Sequence, residues 1–182
     1  MNYSKLKLND IANGPGLRTT LFVSGCTHRC KGCFQPETWN FDKGLLFTFN
    51  LINVIIESSR SKYIKGLSLL GGDPLDNVEG ILPLVEAFKK ELPTKTIWLW
   101  TGYKFEDIIK DPAKYKVLEY IDVIIDGRFE EDLKDITLKY CGSSNRKVID
   151  VKKSLLKNEV VLYSETWGKF WTKLLHLLVF IL

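Results

Sequence analysis

Residues 26–33 read Cys26-Thr-His-Arg-Cys30-Lys-Gly-Cys33 and hold three of the four cysteines in the chain. The spacing is C-x3-C-x2-C, and Phe34 follows at once. Three thiolates this close together can ligate three irons of a cubane cluster and leave the fourth iron without a protein ligand, whereas electron-transfer clusters ordinarily take four cysteines. An open iron can bind a substrate or cofactor, as the open position of a catalytic metal site does. We therefore predict a metal centre with Cys26, Cys30 and Cys33 as ligands.

Three other interpretations of these cysteines stay open on the sequence alone. His28 would complete a Cys3His zinc site, although zinc-binding cysteines usually come as two separated pairs. Cys141 would supply the fourth thiolate of an ordinary four-cysteine cluster. A disulfide framework is the least favoured, because the cysteine content is low and no secretion signal is present.

Length and composition indicate one domain with a full-sized core. Of the 182 residues, 45% are hydrophobic and 26% are charged, which are ordinary values for a globular protein. The net charge of +4 comes from scattered basic residues, so a nucleic-acid-binding surface is not indicated. The first residues lack the apolar segment of a secretion signal, and free cysteines then suit a reducing cytoplasm.

The hydrophobic pattern alternates between strands and helices, which is typical of an α/β fold with a parallel sheet and crossover helices. Residues 5–18 are polar and glycine-rich, with a turn at Asn13-Gly-Pro-Gly. Arg18 is predicted to lie at the surface. The predicted strands cover residues 19–24, 66–70, 96–100 and 120–125, with shorter candidates at 148–151 and 160–163. The predicted helices cover residues 48–60 and 79–91, together with parts of 104–119 on either side of Asp111-Pro112.

Chemistry-bearing residues follow four of the predicted strands. The cysteine stretch follows the first strand, Gly71-Gly72-Asp73 follows the second, Thr101 the third and Asp126 the fourth. The carboxyl ends of parallel strands lie on one face, where barrel active sites are built. A complete eight-stranded barrel typically takes about 250 residues. We therefore expect a partial, open (β/α) barrel whose open side can admit a piece of another protein.

The cysteine triplet followed by an aromatic residue resembles the signature of the radical S-adenosylmethionine enzymes. Further blocks are similar, in the same order, to the activating proteins of anaerobic ribonucleoside-triphosphate reductases, and the resemblance covers roughly residues 1–163. These blocks are Asn13-Gly-Pro-Gly-Leu-Arg18, Leu21-Phe-Val-Ser-Gly-Cys26, Pro36-Glu-Thr-Trp39, Gly71-Gly-Asp-Pro74, Trp100-Thr-Gly-Tyr103, Ile125-Asp-Gly-Arg-Phe129 and Gly142-Ser-Ser-Asn145.

The resemblance implies an activating enzyme with a 4Fe-4S cluster and S-adenosylmethionine as cofactors. In that family an electron passes through the cluster into the sulfonium, giving methionine and a 5′-deoxyadenosyl radical. The radical then takes hydrogen from a glycine of the partner and leaves a glycyl radical there. The implied partners are the large subunit of the anaerobic ribonucleoside-triphosphate reductase and a small reductant such as flavodoxin.

The resemblance also implies a set of cofactor-binding residues. Phe34, next to Gly32 and Cys33, would pack near the adenine, since an aromatic ring offers a face for stacking. Gly71, Gly72 and Asp73 would bind the methionyl amino group through backbone carbonyls, with glycine allowing close approach. The remaining candidates are polar and follow later strands; they are Thr101, Asp126, Ser143 and Asn145.

Two other functions remain as alternatives. The chain would activate a different glycyl-radical enzyme, such as pyruvate formate-lyase, or it would be a non-catalytic iron–sulfur electron carrier with Cys141 as the fourth ligand. A zinc-stabilised interaction module is a third, more distant possibility. The segment 164–182 departs from the family and places apolar residues on one helical stripe, but its apolar run is too short to cross a bilayer. That stripe comprises Trp167, Trp171, Leu174, Leu178 and Ile181.

Overall fold

Seven strands form one open sheet in the computed structural model, which describes residues 1–165. They are β1 (Asn2–Asp10), β2 (Leu17–Val23), β3 (Leu45–Leu46), β4 (Ile64–Gly71), β5 (Thr96–Trp100), β6 (Val123–Asp126) and β7 (Lys147–Asp150). Their order across the sheet is β3-β1-β2-β4-β5-β6-β7. The α/β class is confirmed. The four central strands are parallel, whereas β1, β3 and β7 are antiparallel to their neighbours, so an all-parallel sheet is the wrong description of its edges.

Helices connect the parallel strands and cover one face of the sheet. The described helices are α1 (Phe49–Ser59), α2 (Val78–Glu91), α3 (Phe105–Ile108), α4 (Pro112–Leu118) and α5 (Val151–Lys157). In α2 the buried residues Ile81, Leu84, Val85 and Phe88 recur at helical spacing and are completely enclosed. They pack against the strands in the main hydrophobic core.

The two faces of the central strands have different roles, because successive side chains point to opposite sides. Leu67 and Leu69 of β4 and Leu99 of β5 belong to the core beneath the helices. On the other face, Trp98 packs in a smaller cluster with Ile125 of β6. At the carboxyl ends of the strands this second face borders the loops that follow β2, β4 and β5.

The sequence located most of these elements but missed the first strand. Thr96–Trp100 is observed as predicted, and the helix predicted at residues 79–91 is observed as Val78–Glu91. β1 overlaps a stretch that reads as polar, and Ser4, Lys5 and Asn9 are exposed in this near-edge strand. The candidate strand at 160–163 contributes a single bridge, between Ile149 and Leu162.

Arg18 corrects a prediction, since its side chain is completely buried rather than at the surface. Its guanidinium donates to Ser68 Oγ at 2.7 Å, to the Leu67 carbonyl at 2.7 Å and to the Thr96 carbonyl at 2.9 Å. It also lies 5.7 Å from the ring centre of Trp98. Burial lowers the pKa of Arg18 to about 10. The hydrogen bonds link β2 to β4 and β5 and offset the loss of water around the charge.

No helix within residues 1–165 is both long enough and apolar enough to cross a membrane. The helical stripe predicted in the segment 164–182 begins at Trp167 and lies outside the described residues.

Candidate active site

The cysteine loop opens onto a cavity of about 850 Å³ at the carboxyl ends of the parallel strands. Cys26, Cys30 and Cys33 all line it, together with residues that follow β4 and β5. A cavity of this volume is within the range of small-molecule and cofactor sites. The topology therefore brings the three cysteines to the same space as the glycine-rich segment after β4.

Backbone contacts fix the shape of the cysteine loop. Gly25 N donates to the Thr38 carbonyl at 2.8 Å, and Cys26 N donates to the Trp39 carbonyl at 3.2 Å. Inside the loop the chain reverses through left-handed backbone at Arg29 (φ 48°) and Gly32 (φ 69°). A side chain at Gly32 would also collide with Glu131. Gly32 thus shapes the loop, and it does so before any cofactor role is considered.

The spacing of the thiols does not match a closed zinc site. A tetrahedral zinc ion with bonds of about 2.3 Å holds its thiolates about 3.8 Å apart. Among residues 1–165, the only three potential ligand groups whose atoms lie within 4.8 Å of one another are Cys26, Asp73 and Asp76. The three cysteines and His28 are therefore spread more widely than the ligands of one zinc ion.

The donor set fits an iron–sulfur cluster with an open position. All three thiols are free and partly exposed. Burial raises the pKa of Cys26 to about 11, with smaller additions from Asp73 and Asp76. A bound metal reverses this preference, because it deprotonates a coordinating thiol. Within the described residues Cys141 does not line the cavity, and its thiol contacts the Arg146 carbonyl at 3.8 Å.

Asp73 anchors the segment after β4 instead of pointing freely into the cavity. Its buried carboxylate accepts from Leu75 N at 2.9 Å, from Thr101 Oγ1 at 2.9 Å and from Gly102 N at 2.8 Å. These bonds join the loops that follow β4 and β5. Thr101 and Asp73, predicted separately from the sequence, are in direct contact.

Gly72 lies where two loops cross. A Cβ atom there would come 2.4 Å from the Gly25 carbonyl oxygen and 2.9 Å from that of Thr38. Gly72 N in turn donates to the Val23 carbonyl at 2.8 Å. Only glycine lets the segment after β4 approach the cysteine loop this closely.

His28, the fourth ligand in the Cys3His zinc alternative, lines the cavity. Its side chain is 5% exposed, and its ring lies 4.5 Å from that of Tyr103. Nε2 lies 3.0 Å from Asp73 Oδ2, although neither ring nitrogen has an aligned hydrogen-bond partner among the described residues. His28 therefore faces the cavity with unused hydrogen-bonding capacity.

Phe34 stands at the rim of the cavity and is 64% exposed. Its ring lies 5.2 Å from that of Phe129, which lines the same cavity. The pair offers an accessible aromatic surface beside the third cysteine.

Three of the predicted polar candidates, Asp126, Ser143 and Asn145, lie outside the cavity wall. Asp126 is buried and accepts from Phe105 N at 3.0 Å and Lys147 N at 3.1 Å. Ser143 is completely buried, and Asn145 donates to the Arg128 carbonyl at 2.9 Å. Among the described residues these three do not line the cavity. Their hydrogen bonds hold the loops beneath it.

The chain is similar to known proteins over most of its length. A family model described as a 4Fe-4S single cluster domain matches residues 12–149. The anaerobic ribonucleoside-triphosphate reductase-activating protein of Enterobacteria phage T4 is 47% identical over 150 residues, which is 81% of this chain and 93% of the relative. The proteins of the same name from Haemophilus influenzae and Escherichia coli K12 are each 47% identical, over 80% and 81% of this chain and 96% and 97% of their own lengths.

The chain belongs to this family of activating proteins.

The match to the 4Fe-4S single cluster domain model includes every residue described above as lining the cavity. Residues 12–149 contain the cysteine loop, the segment after β4 and Thr101. They also contain Arg146, a cavity residue that the sequence analysis missed. Its guanidinium donates to the carbonyls of Thr101 at 3.0 Å and Ile125 at 3.3 Å, and burial lowers its pKa. One arginine after a polar loop carries no pattern that would have singled it out.

Proposed function

We propose that this protein is the activating enzyme of an anaerobic ribonucleoside-triphosphate reductase and installs a glycyl radical on the reductase's large subunit. The observation that carries the proposal is the set of three thiols, Cys26, Cys30 and Cys33, on one loop of a large open cavity. Three ligands leave one iron of a 4Fe-4S cluster free for S-adenosylmethionine. The relatives, which are anaerobic ribonucleoside-triphosphate reductase-activating proteins, support the same activity.

The protein's part in this chemistry is to bind, place and shield the cofactors. When bound, the cluster supplies the electron that cleaves S-adenosylmethionine into methionine and a 5′-deoxyadenosyl radical. The cysteine loop, fixed by its bonds to Thr38 and Trp39, would hold the cluster at the wall of the cavity. Abstraction of a hydrogen atom from glycine needs no general base. This agrees with a cavity whose buried carboxylate, Asp73, already accepts hydrogen bonds from Thr101 and Gly102.

The segment after β4 is the proposed seat of the methionyl part of S-adenosylmethionine. Gly72 leaves no side chain between this backbone and the cysteine loop. Backbone carbonyls of Gly71, Gly72 and Asp73 would accept from the amino group, and Phe34 would lie beside the adenine. We assign Asp126, Ser143 and Asn145 to holding the surrounding loops, since the Asp126 carboxylate, the Ser143 hydroxyl and the Asn145 amide nitrogen bond to nearby backbone.

The open sheet supports the entry of a partner segment. We propose that the sheet curves as a partial (β/α) barrel of the radical S-adenosylmethionine type, with the cavity on its uncovered face. A small reductant such as flavodoxin would deliver the electron. The free thiols of residues 1–165 suit a reducing compartment, and we place the protein in the cytoplasm on that ground.

Removal of single cysteines tests the proposal. The protein is reconstituted anaerobically with iron and sulfide, reduced with dithionite and given S-adenosylmethionine, and 5′-deoxyadenosine is quantified by chromatography. Cys26→Ala, Cys30→Ala and Cys33→Ala should each abolish cleavage. Cys141→Ala is the matched control and should retain it, because this thiol is directed to the Arg146 carbonyl.

Cleavage that survives removal of any one of the three loop cysteines would refute the ligand assignment. A wild-type cluster that cleaves no S-adenosylmethionine and loses its brown absorption in Cys141→Ala would favour the four-cysteine electron carrier.

A further inference from the structure

One carboxylate ties the cysteine loop to two other loops of the cavity. Asp76 ends the short helical turn Pro74–Asp76 that follows β4. Its Oδ2 accepts from Thr27 N at 2.7 Å and from Thr27 Oγ1 at 3.0 Å, and its Oδ1 accepts from Tyr103 Oη at 2.6 Å. Because Thr27 directly follows Cys26, Asp76 fixes the position of the first cysteine.

The same carboxylate also places negative charge beside a sulfur. The Cys26 Sγ atom and carboxylate oxygens of Asp73 and Asp76 lie within 4.8 Å of one another. The Asp73 carboxylate already accepts from three donors outside the cysteine loop, Leu75 N, Thr101 Oγ1 and Gly102 N, and its Oδ2 lies 3.0 Å from His28 Nε2. Asp76 bonds directly to the loop residue next to Cys26, and this makes it the better candidate for acting on whatever Cys26 holds.

We propose that Asp76 is a positioning residue that lowers the reduction potential of the cluster held by Cys26, Cys30 and Cys33; the inference rests on the proposed cluster. Reduction adds one electron to the cluster, and a neighbouring negative charge opposes that addition. Charge and hydrogen bonding around a metal ligand are known means of tuning a metal centre. A lower potential makes the reduced cluster a stronger donor, which suits the cleavage of a sulfonium.

Asp76→Asn tests this directly, since asparagine keeps the shape and loses the charge. The midpoint potential of the cluster is measured in an anaerobic redox titration at constant pH, followed by absorption and electron paramagnetic resonance, without S-adenosylmethionine or reductase. At a given solution potential, the ratio of reduced to oxidised cluster should rise about tenfold, which for one electron corresponds to about 59 mV. Glu91→Gln is the control, because Glu91 lies at the C-terminal end of α2 and pairs with Arg60. The midpoint potential of the cluster in this variant should equal that of the wild type.

Tyr103→Phe is a second variant with the opposite expected sign. It removes one hydrogen-bond donor from Asp76, leaves the charge less compensated and keeps the ring that packs on His28. The potential should move down. This variant decides the question if Asp76→Asn assembles too little cluster for titration, as judged by its iron content.

An Asp76→Asn cluster at the wild-type potential, or a Tyr103→Phe cluster at a raised or unchanged potential, would overturn the inference and leave the proposed function intact. A wild-type protein that holds no cluster after reconstitution would instead remove the proposed function, and this inference with it.

Discussion

The Cys26 thiol is partly buried, and its protonation can be measured before any metal is added. Burial raises its pKa from 9.0 to about 11, so the folded metal-free protein keeps this thiol neutral up to a higher pH than the unfolded chain does. The thiolate is the form that reacts with alkylating agents. Alkylation of Cys26 should therefore accelerate between about pH 9 and pH 11.

Mass spectrometry of peptides from protein treated with iodoacetamide measures this rate at each pH. The same peptide from protein unfolded in urea is the control, and its rate should be half-maximal near pH 9. A Cys26 that alkylates equally fast in the folded and unfolded protein at pH 9 would contradict the burial assigned to it.

Gly72 is a second residue whose role follows from contact distances. An alanine there places its Cβ 2.4 Å from the Gly25 carbonyl oxygen and forces the segment after β4 away from the cysteine loop. Gly72→Ala should weaken the binding of S-adenosylmethionine about tenfold or more, equivalent to about 1.4 kcal/mol, while the iron content stays near that of the wild type. Equilibrium dialysis with the reconstituted protein measures the affinity.

Gly80→Ala is the matched control for Gly72→Ala. A Cβ at Gly80 would meet only the flexible side chain of Met1, so its affinity for S-adenosylmethionine should not change. Equal affinities in the two variants would show that the close approach at Gly72 does not matter for the cofactor.

At the residue level, predictability depended on the kind of signal. The three cysteines and Gly72 belong to short motifs, C-x3-C-x2-C and Gly-Gly-Asp-Pro, whose residue types and spacing predicted a role in the site. Arg18 and Arg146 are single charges without a pattern, and an arginine is ordinarily exposed. Their burial depends on carbonyl oxygens supplied by distant strands, such as those of Leu67 and Thr96 for Arg18.

The central strands are joined by the buried guanidinium of Arg18 as well as by their ladders. Arg18→Ala would remove a buried side chain and leave the groups around Ser68 and Thr96 without a donor. We expect a loss of about 2–4 kcal/mol in the free energy of unfolding, from the cavity and the unpaired polar groups together.

Urea denaturation of the metal-free protein, followed by circular dichroism, measures the loss. Arg60→Ala is the control, because Arg60 is 45% exposed and makes only surface ion pairs, with Glu57 and Glu91; its loss should stay below about 1 kcal/mol. Similar losses for the two variants would mean that the Arg18 network does not hold β2, β4 and β5 together.

Elements with a strong hydrophobic period were predictable, whereas β1 and β3 at one edge of the sheet were not. β5 reads Thr-Ile-Trp-Leu-Trp and α2 has apolar residues at helical spacing, so both were located to within one residue. Three of the first five residues of β1 are polar, namely Asn2, Ser4 and Lys5, and its pairing with β2 and β3 makes it a strand. A long-range pairing of this kind leaves little trace in the local sequence.

The arrangement of the whole molecule follows from the parallel centre of the sheet. Because β2, β4 and β5 are parallel, the loops that follow them meet at one edge, and this much could be predicted from the order of the motifs. Which side chains line the cavity could not, because Asp126, Ser143 and Asn145 turn to backbone partners whose positions depend on the completed fold.

The transfer of a radical to a second protein is the central claim, and a glycyl radical on the reductase tests it most directly. The reconstituted, reduced protein is incubated anaerobically with S-adenosylmethionine and the large subunit of the anaerobic reductase, and the sample is frozen for electron paramagnetic resonance. We predict a glycyl radical signal that requires both S-adenosylmethionine and intact Cys26, Cys30 and Cys33. Cleavage of S-adenosylmethionine with no radical on the reductase would contradict the assigned partner, and a stable cluster that cleaves nothing would contradict the activity itself.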